Sequence, residues 1–312
     1  MKTHKGASTF TTQKGTVVTI GTFDGVHVGH KKIIQRLLES AKTNDWESLV
    51  LTFFPHPRMV LQKDTQIKLI NTIDERAMLL ENQGLDHLVV HPFTQEFSRL
   101  TAETFVEEIL VNQLNAKKVI IGYDHRFGRN RKADITDLKK FGEQFGFAVE
   151  EISKQELAEV AISSTKVRRA LDDGDIELAN RYLGYPIMLC GIVEEGKRLG
   201  RKIGYPTANL NIKEEYKLIP AQGVYVVQCR IKDKVYTGMM NIGTNPTVGG
   251  KKQTVETYFF DFNDNLYGET LCIEILARIR EEKHFASIEE LQEAMKHDEV
   301  FSRSWSKAAK NL

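Results

Sequence analysis

The sequence lacks the features that mark membrane proteins, secreted proteins and general nucleic-acid binders. Its 43 basic and 42 acidic side chains leave a net charge of +1, which supplies no overall field for a polyanion. No apolar run approaches the ~18 residues that a membrane-spanning helix needs. The polar first residues lack the apolar core of a signal peptide. We therefore expect a cytoplasmic protein whose partners include neither nucleic acid nor a membrane.

Cysteine is also scarce, with three residues at Cys190, Cys229 and Cys272. Each lies in an apolar, strand-like stretch, and their spacing fits neither a C-x-x-C pair nor a disulfide framework. Unpaired cysteine is among the most buried residue types and behaves as a small apolar side chain. The sequence therefore predicts three buried, unpaired thiols in a reducing compartment.

The sequence does contain two halves with different patterns. At 312 residues the chain is longer than one hydrophobic core usually serves, which favours two domains. Unbroken apolar strands that alternate with helices indicate an α/β domain with a doubly wound parallel sheet, in which ligands bind at the carboxyl ends of the strands. In the first half such apolar runs lie at residues 16–20, 48–53, 87–90, 118–122 and 147–152.

Beyond about residue 185 the strand-like runs follow one another without an intervening helix. Polar turns separate some of these runs, which is typical of a compact antiparallel barrel or sandwich. One helix ends the chain, and Ser287 with Glu290 predicts its capping box. The change of pattern puts the boundary just before Pro186, with one domain over residues 1–185 and the other over residues 186–312.

The stretch from Gly21 to Lys32, GTFDGVHVGHKK, follows the first strand and begins a helix. The three-residue spacing of His27 and His30 puts both rings on one face. Glycine lets a ligand approach the backbone closely, and the first amides of a helix attract phosphate. The pattern therefore predicts a polyphosphate site, in which two imidazoles donate hydrogen bonds to the charge that develops at phosphorus.

Other interpretations of this stretch fit less well. A Walker A loop needs four residues between its glycines and then Gly-Lys-Ser/Thr, and a G-x-G-x-x-G fingerprint is absent as well. A zinc site would need a third and a fourth ligand, which neither a cysteine pair nor an H-E-x-x-H helix supplies. The alternative that the residues leave open is a pair of solvated histidines in a turn.

GTFDGVHVGH resembles the H-x-G-H signature of the nucleotidyltransferase superfamily, whose members join a nucleotide to an acceptor. The segment ISSTKVRRAL (162–171) is similar to the helix start that holds the ATP phosphates in that superfamily, although by itself it predicts an ordinary capped helix with a basic face. The resemblance implies that His27, His30 and Arg168 are catalytic. It also implies ATP-binding residues at Gly21, Phe23, Asp24, Gly29, Asp124, Ser163, Ser164 and Thr165.

Two further segments resemble one subfamily, the bacterial bifunctional riboflavin kinase/FAD synthetases. GYDHRFGRNRKAD (122–134) is similar to its G-x-D-F-R-F-G segment, and FFPHPRMVL (53–61) is similar to its flavin-side loop. The chain departs from the family at His125, where Phe is usual, and at Ala133, where glycine is common. The resemblance implies that this domain binds a flavin through Phe54, Pro55, His56, Pro57 and Arg126.

In the second half, LGRKIGYPTANL (199–210) resembles the P-T-A-N motif of riboflavin kinases, and three later segments match that family in order. Glycines in a basic loop can wrap phosphates with backbone amides, and Thr207 and Asn209 offer the oxygen ligands that Mg²⁺ prefers. The resemblance implies that both residues hold Mg²⁺. It implies that the kinase binds ATP through Gly196, Gly200, Arg201, Gly204, Thr207 and Asn209.

Glu256 lies in the stretch VETYF, among apolar and aromatic residues. Such a carboxylate can act as the base for a primary alcohol, although the alternation alone also fits a glutamate on the solvent face of a strand. The resemblance favours the catalytic role. Tyr258 and Phe259 replace the histidine and the aliphatic residue that often follow this glutamate. The resemblance implies that the kinase binds its flavin through Tyr258, Arg280 and Phe285.

The resemblance covers roughly residues 15–305 and implies a nucleotidyltransferase domain followed by a small antiparallel β-barrel with a C-terminal helix. The barrel would phosphorylate riboflavin with ATP and Mg²⁺ to give FMN. The first domain would transfer AMP from ATP to FMN, which forms FAD and releases pyrophosphate. Two alternatives are a kinase with an inactive first domain and a flavin-responsive binding protein without chemistry. The sequence leaves open whether the chain forms a homo-oligomer.

Overall fold

A computed structural model of the chain describes residues 1–62, 67–123, 125–153, 162–196, 200, 203–247 and 250–309. The chain divides into two compact units, Met1–Ser164 and Thr165–Leu312. This division comes earlier in the chain than the expected boundary between residues 185 and 186, which stays a prediction.

The first unit is built on a six-stranded sheet, in which the described pairings are all parallel. The strands are β1 (Lys2–His4), β2 (Thr16–Ile20), β3 (Glu47–Phe54), β4 (His87–Pro92), β5 (Ala116–Gly122) and β6 (Ala148–Ile152), in the spatial order β1-β4-β3-β2-β5-β6. The five predicted apolar runs all become strands, which confirms the doubly wound parallel sheet. Sequence reasoning missed the edge strand β1, because its residues are polar and form no apolar run.

Helices connect these strands and cover the sheet. They are α1 (Val28–Asn44), α2 (Pro57–Leu61), α3 (Ile73–Glu81), α4 (Ala102–Thr104), which continues as the π-helical segment Phe105–Gln113, and α5 (Ile135–Phe145). Local signals set their ends, since Thr72 begins α3 with a capping box and Gly146 ends α5 in a left-handed conformation. Buried Ile20 and Leu49 of the sheet pack in one core with Phe105 of the π-helical segment.

The second unit contains a closed barrel of six strands, and each described pairing is antiparallel. The strands are β7 (Ile187–Glu194), β8 (Ala208–Asn211), β9 (Gly223–Ile231), β10 (Lys234–Thr247), β11 (Gly250–Phe259) and β12 (Thr270–Arg280), in the order β10-β11-β8-β7-β12-β9. The barrel is therefore confirmed and the sandwich excluded. The short strand β8 carries the end of the P-T-A-N segment.

Three described helices complete this unit: α6 (Ser164–Asp172), α7 (Ile176–Leu183) and α8 (Ile288–Ala309). The Asn180 amide fixes α7 to the barrel, since it donates to the Ile275 carbonyl at 2.9 Å and accepts from the Ile187 N–H at 2.8 Å. At the start of α8 the Ser287 hydroxyl accepts from the Glu290 N–H, as predicted, but the Glu290 carboxylate accepts from the N–H of Ala286. Across the described residues, every helix is too short or too polar to cross a membrane.

The prediction of three unpaired thiols is wrong. Cys190 and Cys272 form a disulfide, whereas Cys229 is a buried thiol whose pKa burial raises to about 11. Cys190 on β7 lies directly opposite Cys272 on β12 in the antiparallel register, so the two side chains meet although 82 residues separate them. Spacing along the sequence did not reveal this pair, because strand pairing in a barrel brings together distant residues.

Candidate active sites

The two predicted catalytic histidines of the first unit are in contact with each other. His27 is the N-cap of α1, and its Nδ1 accepts a hydrogen bond from the His30 N–H at 3.3 Å. The two rings stack with their centroids 3.7 Å apart and an angle of 15° between their planes. Because Nδ1 of His27 is an acceptor in this network, a neutral His27 ring carries its proton on Nε2 and can donate from there.

The His30 ring lies in a site that disfavours its charged form. Burial, the neighbouring His27 and the Arg76 guanidinium, in that order, hold the pKa of His30 well below its usual range. Its Nδ1 is buried, and none of the described residues forms a hydrogen bond with it. The stacking and the burial of these rings disagree with a pair of solvated histidines, and the catalytic role of the pair stays a prediction.

The glycines of this loop are required by close approach and by backbone conformation. A Cβ atom on Gly29 would lie 3.2 Å from both Cε1 and Nδ1 of His27, so a side chain there would push the first ring away. Gly25 has a φ of 90°, a value that glycine adopts without steric cost. Gly21 lies at the end of β2, where a Cβ atom would meet the Phe23 ring at 3.0 Å.

The predicted ATP-binding residue Asp24 is buried and forms hydrogen bonds with other residues of the chain. Its carboxylate accepts from the N–H groups of Ile70 at 2.9 Å and Asn71 at 3.3 Å. Its backbone carbonyl accepts a hydrogen bond from the Ser164 hydroxyl at 2.8 Å. The structure thus brings Asp24 and Ser164 together at the H-x-G-H loop, and it gives both of them contacts that organise this loop.

The other residues of the predicted ATP site fall on both sides of the division between the two units. Ser163 is exposed beside Ser164, whereas Thr165 and Arg168 belong to the second unit, where Thr165 is exposed and Arg168 is half-buried on α6. Asp124 lies outside the described residues.

The predicted flavin-side loop follows β3. The Phe54–Pro55 peptide bond is cis, and His56 begins α2 by accepting the Arg58 N–H on its Nδ1 at 3.1 Å. Pro57 is the first residue of that helix. Next to this loop, Phe53 makes edge contacts with Phe93, at a centroid distance of 5.8 Å, so the carboxyl end of β3 is lined with aromatic rings.

The 122–134 segment follows β5 and forms a small hairpin. The backbones of Phe127 and Ala133 pair, and both side chains are buried in the core of the first unit. His125 stacks on Phe127 with an angle of 21° between the rings. Arg126 is exposed and lies 4.0 Å from an oxygen of Asp134. Ala133 is therefore part of the core, and His125 makes an aromatic contact with Phe127.

In the second unit the structure brings together the main predicted kinase residues. The Thr207 hydroxyl donates to a carboxylate oxygen of Glu256 at 3.3 Å. Glu256 on β11 also lies opposite Asn209 on β8 in the antiparallel register. Gly196 lies against Asn209, because a Cβ atom at that position would come within 2.2 Å of the Asn209 amide nitrogen. This arrangement brings a hydroxyl, a side-chain amide and a carboxylate together at one point of the barrel.

A cavity of about 580 Å³ opens beside this cluster, a size that suits a nucleotide-sized ligand. Its walls include Gly196, Thr207 and Asn209, as predicted. Sequence reasoning missed other wall residues, among which are Pro206, Phe262, Asn263, Leu266 and Tyr267. Most of these lie in the turn between β11 and β12, whose sequence reads only as a polar loop.

The alternation along β11 separates the two residues that depart from the family pattern. Thr257 and Phe259 line the cavity, whereas Glu256 and Tyr258 occupy the opposite face of the strand. Tyr258 packs edge-on against Tyr205 at a centroid distance of 5.1 Å, and burial raises the pKa of both phenols. Sequence reasoning missed Tyr205, although its position next to the P-T-A-N segment was a usable signal.

The remaining predicted kinase residues have structural contacts of their own. The Arg280 guanidinium binds both carboxylate oxygens of the buried Asp298 and lies 5.5 Å from the Phe285 ring. Gly204 has a φ of 87°, and the chain folds tightly at Gly200, where a Cβ atom would lie 2.1 Å from the Tyr205 carbonyl oxygen. Arg201 lies outside the described residues.

Comparison with known proteins supports the family resemblance of the two halves of the chain. The family model described as FAD synthetase matches residues 9–166, and the one described as riboflavin kinase matches residues 183–306. The Bifunctional riboflavin kinase/FMN adenylyltransferase of Escherichia coli (strain K12) is 37% identical over 296 residues, which cover 94% of this chain and 93% of the relative. The protein of the same name from Listeria monocytogenes is 37% identical over 93% of this chain and 92% of its own length.

A solved structure shares the complete fold. A crystal structure named as a macrolide-efflux protein from Streptococcus pneumoniae aligns with a TM-score of 0.86 and 33% identity, over 97% of this chain and 99% of its own. The name that mentions macrolide efflux belongs to the Streptococcus pneumoniae protein and is not carried over to this chain. The alignment shows that the sheet unit and the barrel unit occur together in one other chain of the same extent.

Proposed function

Since this chain belongs to the family of bifunctional riboflavin kinase/FMN adenylyltransferases, we propose that each of the two reactions has its own site. The chain is a bifunctional transferase that phosphorylates riboflavin to FMN with ATP and then adenylylates FMN to FAD with release of pyrophosphate. Riboflavin, FMN and ATP are its small-molecule substrates, and FMN and FAD are its products. The residue roles below extend this activity to individual side chains.

For the kinase reaction we assign the base to Glu256. The 5′-hydroxyl of riboflavin must lose a proton as its oxygen attacks the terminal phosphorus of ATP, and a carboxylate next to that hydroxyl can accept it. The observation that supports this role is the contact of Glu256 with Thr207 and its pairing with Asn209, two residues that line a cavity of nucleotide size. ATP would occupy the cavity, with its phosphates toward Gly196, Thr207 and Asn209. Gly200, Arg201 and Gly204 are assigned to the same substrate.

A magnesium ion fits the donors at this point. Mg²⁺ is bound in proteins through one or two side-chain oxygens together with substrate phosphates and water. Thr207 and Asn209 supply two such oxygens next to the Glu256 carboxylate, and the described residues contain no cluster of three acidic, histidine or cysteine ligands that would form a complete protein cage. When bound, the ion would neutralise phosphate charge. Glu256, Thr207 and Asn209 position the substrate hydroxyl and the phosphates.

For the adenylyl transfer we assign charge stabilisation to His27 and His30, with Arg168 as the third catalytic group. The reaction needs no covalent enzyme intermediate, because positioning and hydrogen bonds to phosphate oxygens suffice for an in-line displacement. Donation from Nε2 of His27 requires the tautomer that its contact with the His30 N–H favours. Gly21, Phe23, Gly29, Ser163 and Thr165 would contact ATP, and Asp124 is assigned with them.

Asp24 and Ser164 would act on ATP indirectly. Their contacts with the Ile70 and Asn71 amides and with each other support a role in ordering the loop. The flavin of this unit would lie against Phe54, Pro55, His56, Pro57 and Arg126, where aromatic rings surround the end of β3. In the kinase, Tyr258 and Phe285 would contact the flavin, and Arg280 would hold α8 in place through Asp298.

We also propose that the functional boundary lies between residues 185 and 186, and that the enzyme works in the cytoplasm, where its co-substrate ATP is made. The unpaired-thiol argument no longer supports this location, since Cys190 and Cys272 form a disulfide.

One incubation tests the assignment as a whole. The purified full chain is mixed with riboflavin, ATP and Mg²⁺, and the flavins are separated over time. FMN should appear first and FAD later, and omission of Mg²⁺ should stop FMN formation. Accumulation of FMN without any FAD, including from supplied FMN, would leave the first unit without the activity assigned to it.

A further inference from the structure

A buried ion pair lies next to the H-x-G-H loop. The guanidinium Nη2 of Arg76, on α3, is 3.7 Å from Oδ1 of Asp24, and each side chain is only 1% exposed. Removal of two charges from water costs several kcal/mol per ion, so a buried pair of this kind contributes little to stability by itself. The position of this ion pair in the interior is better explained by the part of the structure that it holds in place, the loop after β2.

Arg76 reaches the loop through two routes. Its Nη1 donates to the Thr52 hydroxyl at 3.3 Å, and that hydroxyl donates to the Thr22 carbonyl at 3.2 Å. The second route is the ion pair, which is a direct contact of Arg76 with Asp24. Arg76 therefore acts on the residues that precede and follow Phe23, and it does so from a different helix.

The loop needs such support because parts of its backbone are strained. Phe23 has a φ of 47° and Val26 a φ of 35°, conformations that side chains other than glycine rarely adopt. Each such residue costs about 1–3 kcal/mol and persists only when the surrounding structure fixes it. Val26 immediately precedes His27. Relaxation of this strain would therefore move the His27 ring and, through their stacking contact, the His30 ring.

We propose that Arg76 is a positioning residue for adenylyl transfer, which fixes the loop that carries His27 and His30 through Asp24 and Thr22. This inference rests on the assignment of the two histidines to that reaction. Arg76 is also a charge that acts on the site: burial, His27 and Arg76 all lower the pKa of His30, and the Asp24 carboxylate faces the Arg76 guanidinium. Loss of the guanidinium should let His30 take up a proton at a higher pH.

The test uses three variants of the full chain. Arg76→Met keeps the length of the side chain and removes its charge and donors, whereas Arg76→Lys keeps the charge and removes the planar fork. Arg99→Met is the matched control, because Arg99 is exposed in the same unit. For each variant, turnover and the Michaelis constants are measured for FAD formation from supplied FMN between pH 5.5 and 8.5. Riboflavin phosphorylation and thermal unfolding are measured on the same samples.

We expect Arg76→Met to lower the turnover of FAD formation by about 10²-fold, as a displacement of about 1 Å in a site can do. The acidic limb of its pH profile should move upward, since the positive charge of Arg76, which lowers the pKa of His30, is lost. Arg76→Lys should restore most of the pH profile and part of the turnover. Riboflavin phosphorylation should stay within about twofold in every variant, and Arg99→Met should match the native enzyme.

Three results would overturn the inference. The first is FAD formation by Arg76→Met at the native rate. The second is a loss of FAD formation by Arg76→Met with an unchanged pH profile, together with an Arg76→Lys variant that is as active as the native enzyme. A purely structural residue would behave in that way. The third is a parallel loss of both reactions. A His27→Ala variant run beside them separates the two claims: if it keeps full FAD formation, the histidine assignment fails, whatever Arg76 does.

Discussion

The Thr207 hydroxyl and the Glu256 carboxylate, which are 49 residues apart in the chain, meet at 3.3 Å across neighbouring strands of the barrel. The contact joins the P-T-A-N segment of β8 to the carboxylate of β11. It also orients Glu256, because a hydroxyl that donates to one carboxylate oxygen leaves the other to accept a proton. The residue that we propose as a ligand of metal and phosphate and the residue that we propose as the base thus lie side by side.

Replacement of Glu256 by Gln tests the base. The amide keeps the size of the side chain and loses proton acceptance, so the turnover of riboflavin phosphorylation should fall by about 10²–10⁴-fold. The Michaelis constants for riboflavin and ATP should change much less, because ground-state contacts are largely kept. Steady-state kinetics measures both. FAD formation from supplied FMN should continue, and Glu269→Gln, at an exposed glutamate in the same unit, is the control. Normal turnover in the Gln variant would remove Glu256 from the mechanism.

Replacement of His27 or His30 by Ala tests the first unit. Loss of a preorganised donor usually costs about 10²–10³ in rate, so FAD formation from supplied FMN should fall by that factor. Riboflavin phosphorylation in the same samples should stay near normal and serves as the control for folding of the other unit. If both variants make FAD at the native rate, the stacked rings have a structural role only.

The Cys190–Cys272 disulfide predicts a stability that depends on reductant. A crosslink over 82 residues stabilises the fold by up to about 4 kcal/mol in the chain-entropy account, so a thiol reductant should lower the melting temperature of the second unit. Thiol titration of the denatured chain should find one thiol before reduction and three after it. Cys272→Ser is the control and should melt at the same temperature with and without reductant. Three titratable thiols in the untreated chain would contradict the disulfide.

The first unit should lose stability at mildly acidic pH. Burial, followed by His87, lowers the pKa of His4, burial lowers the pKa of His91, and His30 lies well below its usual range. In the unfolded chain these rings titrate near pH ~6.5. The contribution of these rings to the free energy of unfolding is therefore fully present above that pH. It is lost as the pH falls through 6.5 toward their pKa values in the folded chain, because the unfolded chain then binds more protons. Urea unfolding at pH 8, 7, 6 and 5 measures the slope.

Two single variants test which histidines cause the dependence of the unfolding free energy on pH. The Nδ1 of His91 accepts the Ala7 N–H at 3.1 Å, and the Nε2 of His4 lies 3.1 Å from Nδ1 of His87. His91→Gln and His4→Gln should each flatten the dependence of the unfolding free energy on pH. A slope equal to that of the native chain in both variants would show that other groups control the acid limb.

Two fragments test the domain boundary. Residues 165–312 keep α6 and α7, which bury Leu171, Ile176 and Leu183, whereas residues 186–312 lose them. Because each buried apolar side chain of this size contributes about 1.5–3 kcal/mol, the longer fragment should melt at a clearly higher temperature. Both fragments should phosphorylate riboflavin. If the shorter one is folded by circular dichroism and inactive while the longer one is active, the functional boundary lies before α7.

The sequence alone determined the features that depend on neighbours in the chain. Apolar runs predicted the strands from β2 to β6, and the H-x-G-H spacing predicted a helix start with two facing rings. The change of pattern near Pro186 predicted a parallel sheet followed by an antiparallel barrel or sandwich. These predictions succeed because strand and helix periodicities are local, and because glycine and capping residues act within one turn of the backbone. The family resemblance rested on the same short segments.

Only the tertiary structure decided what meets across the fold. The pairing of Cys190 with Cys272 and the contact of Thr207 with Glu256 depend on strand register, which spacing in the sequence does not encode. Arg76 is the clearest case, since a charged residue on an amphipathic helix normally faces water, yet here it is buried against Asp24. Its position follows from the packing of α3 against the loop after β2, and no local pattern in the sequence carries that information.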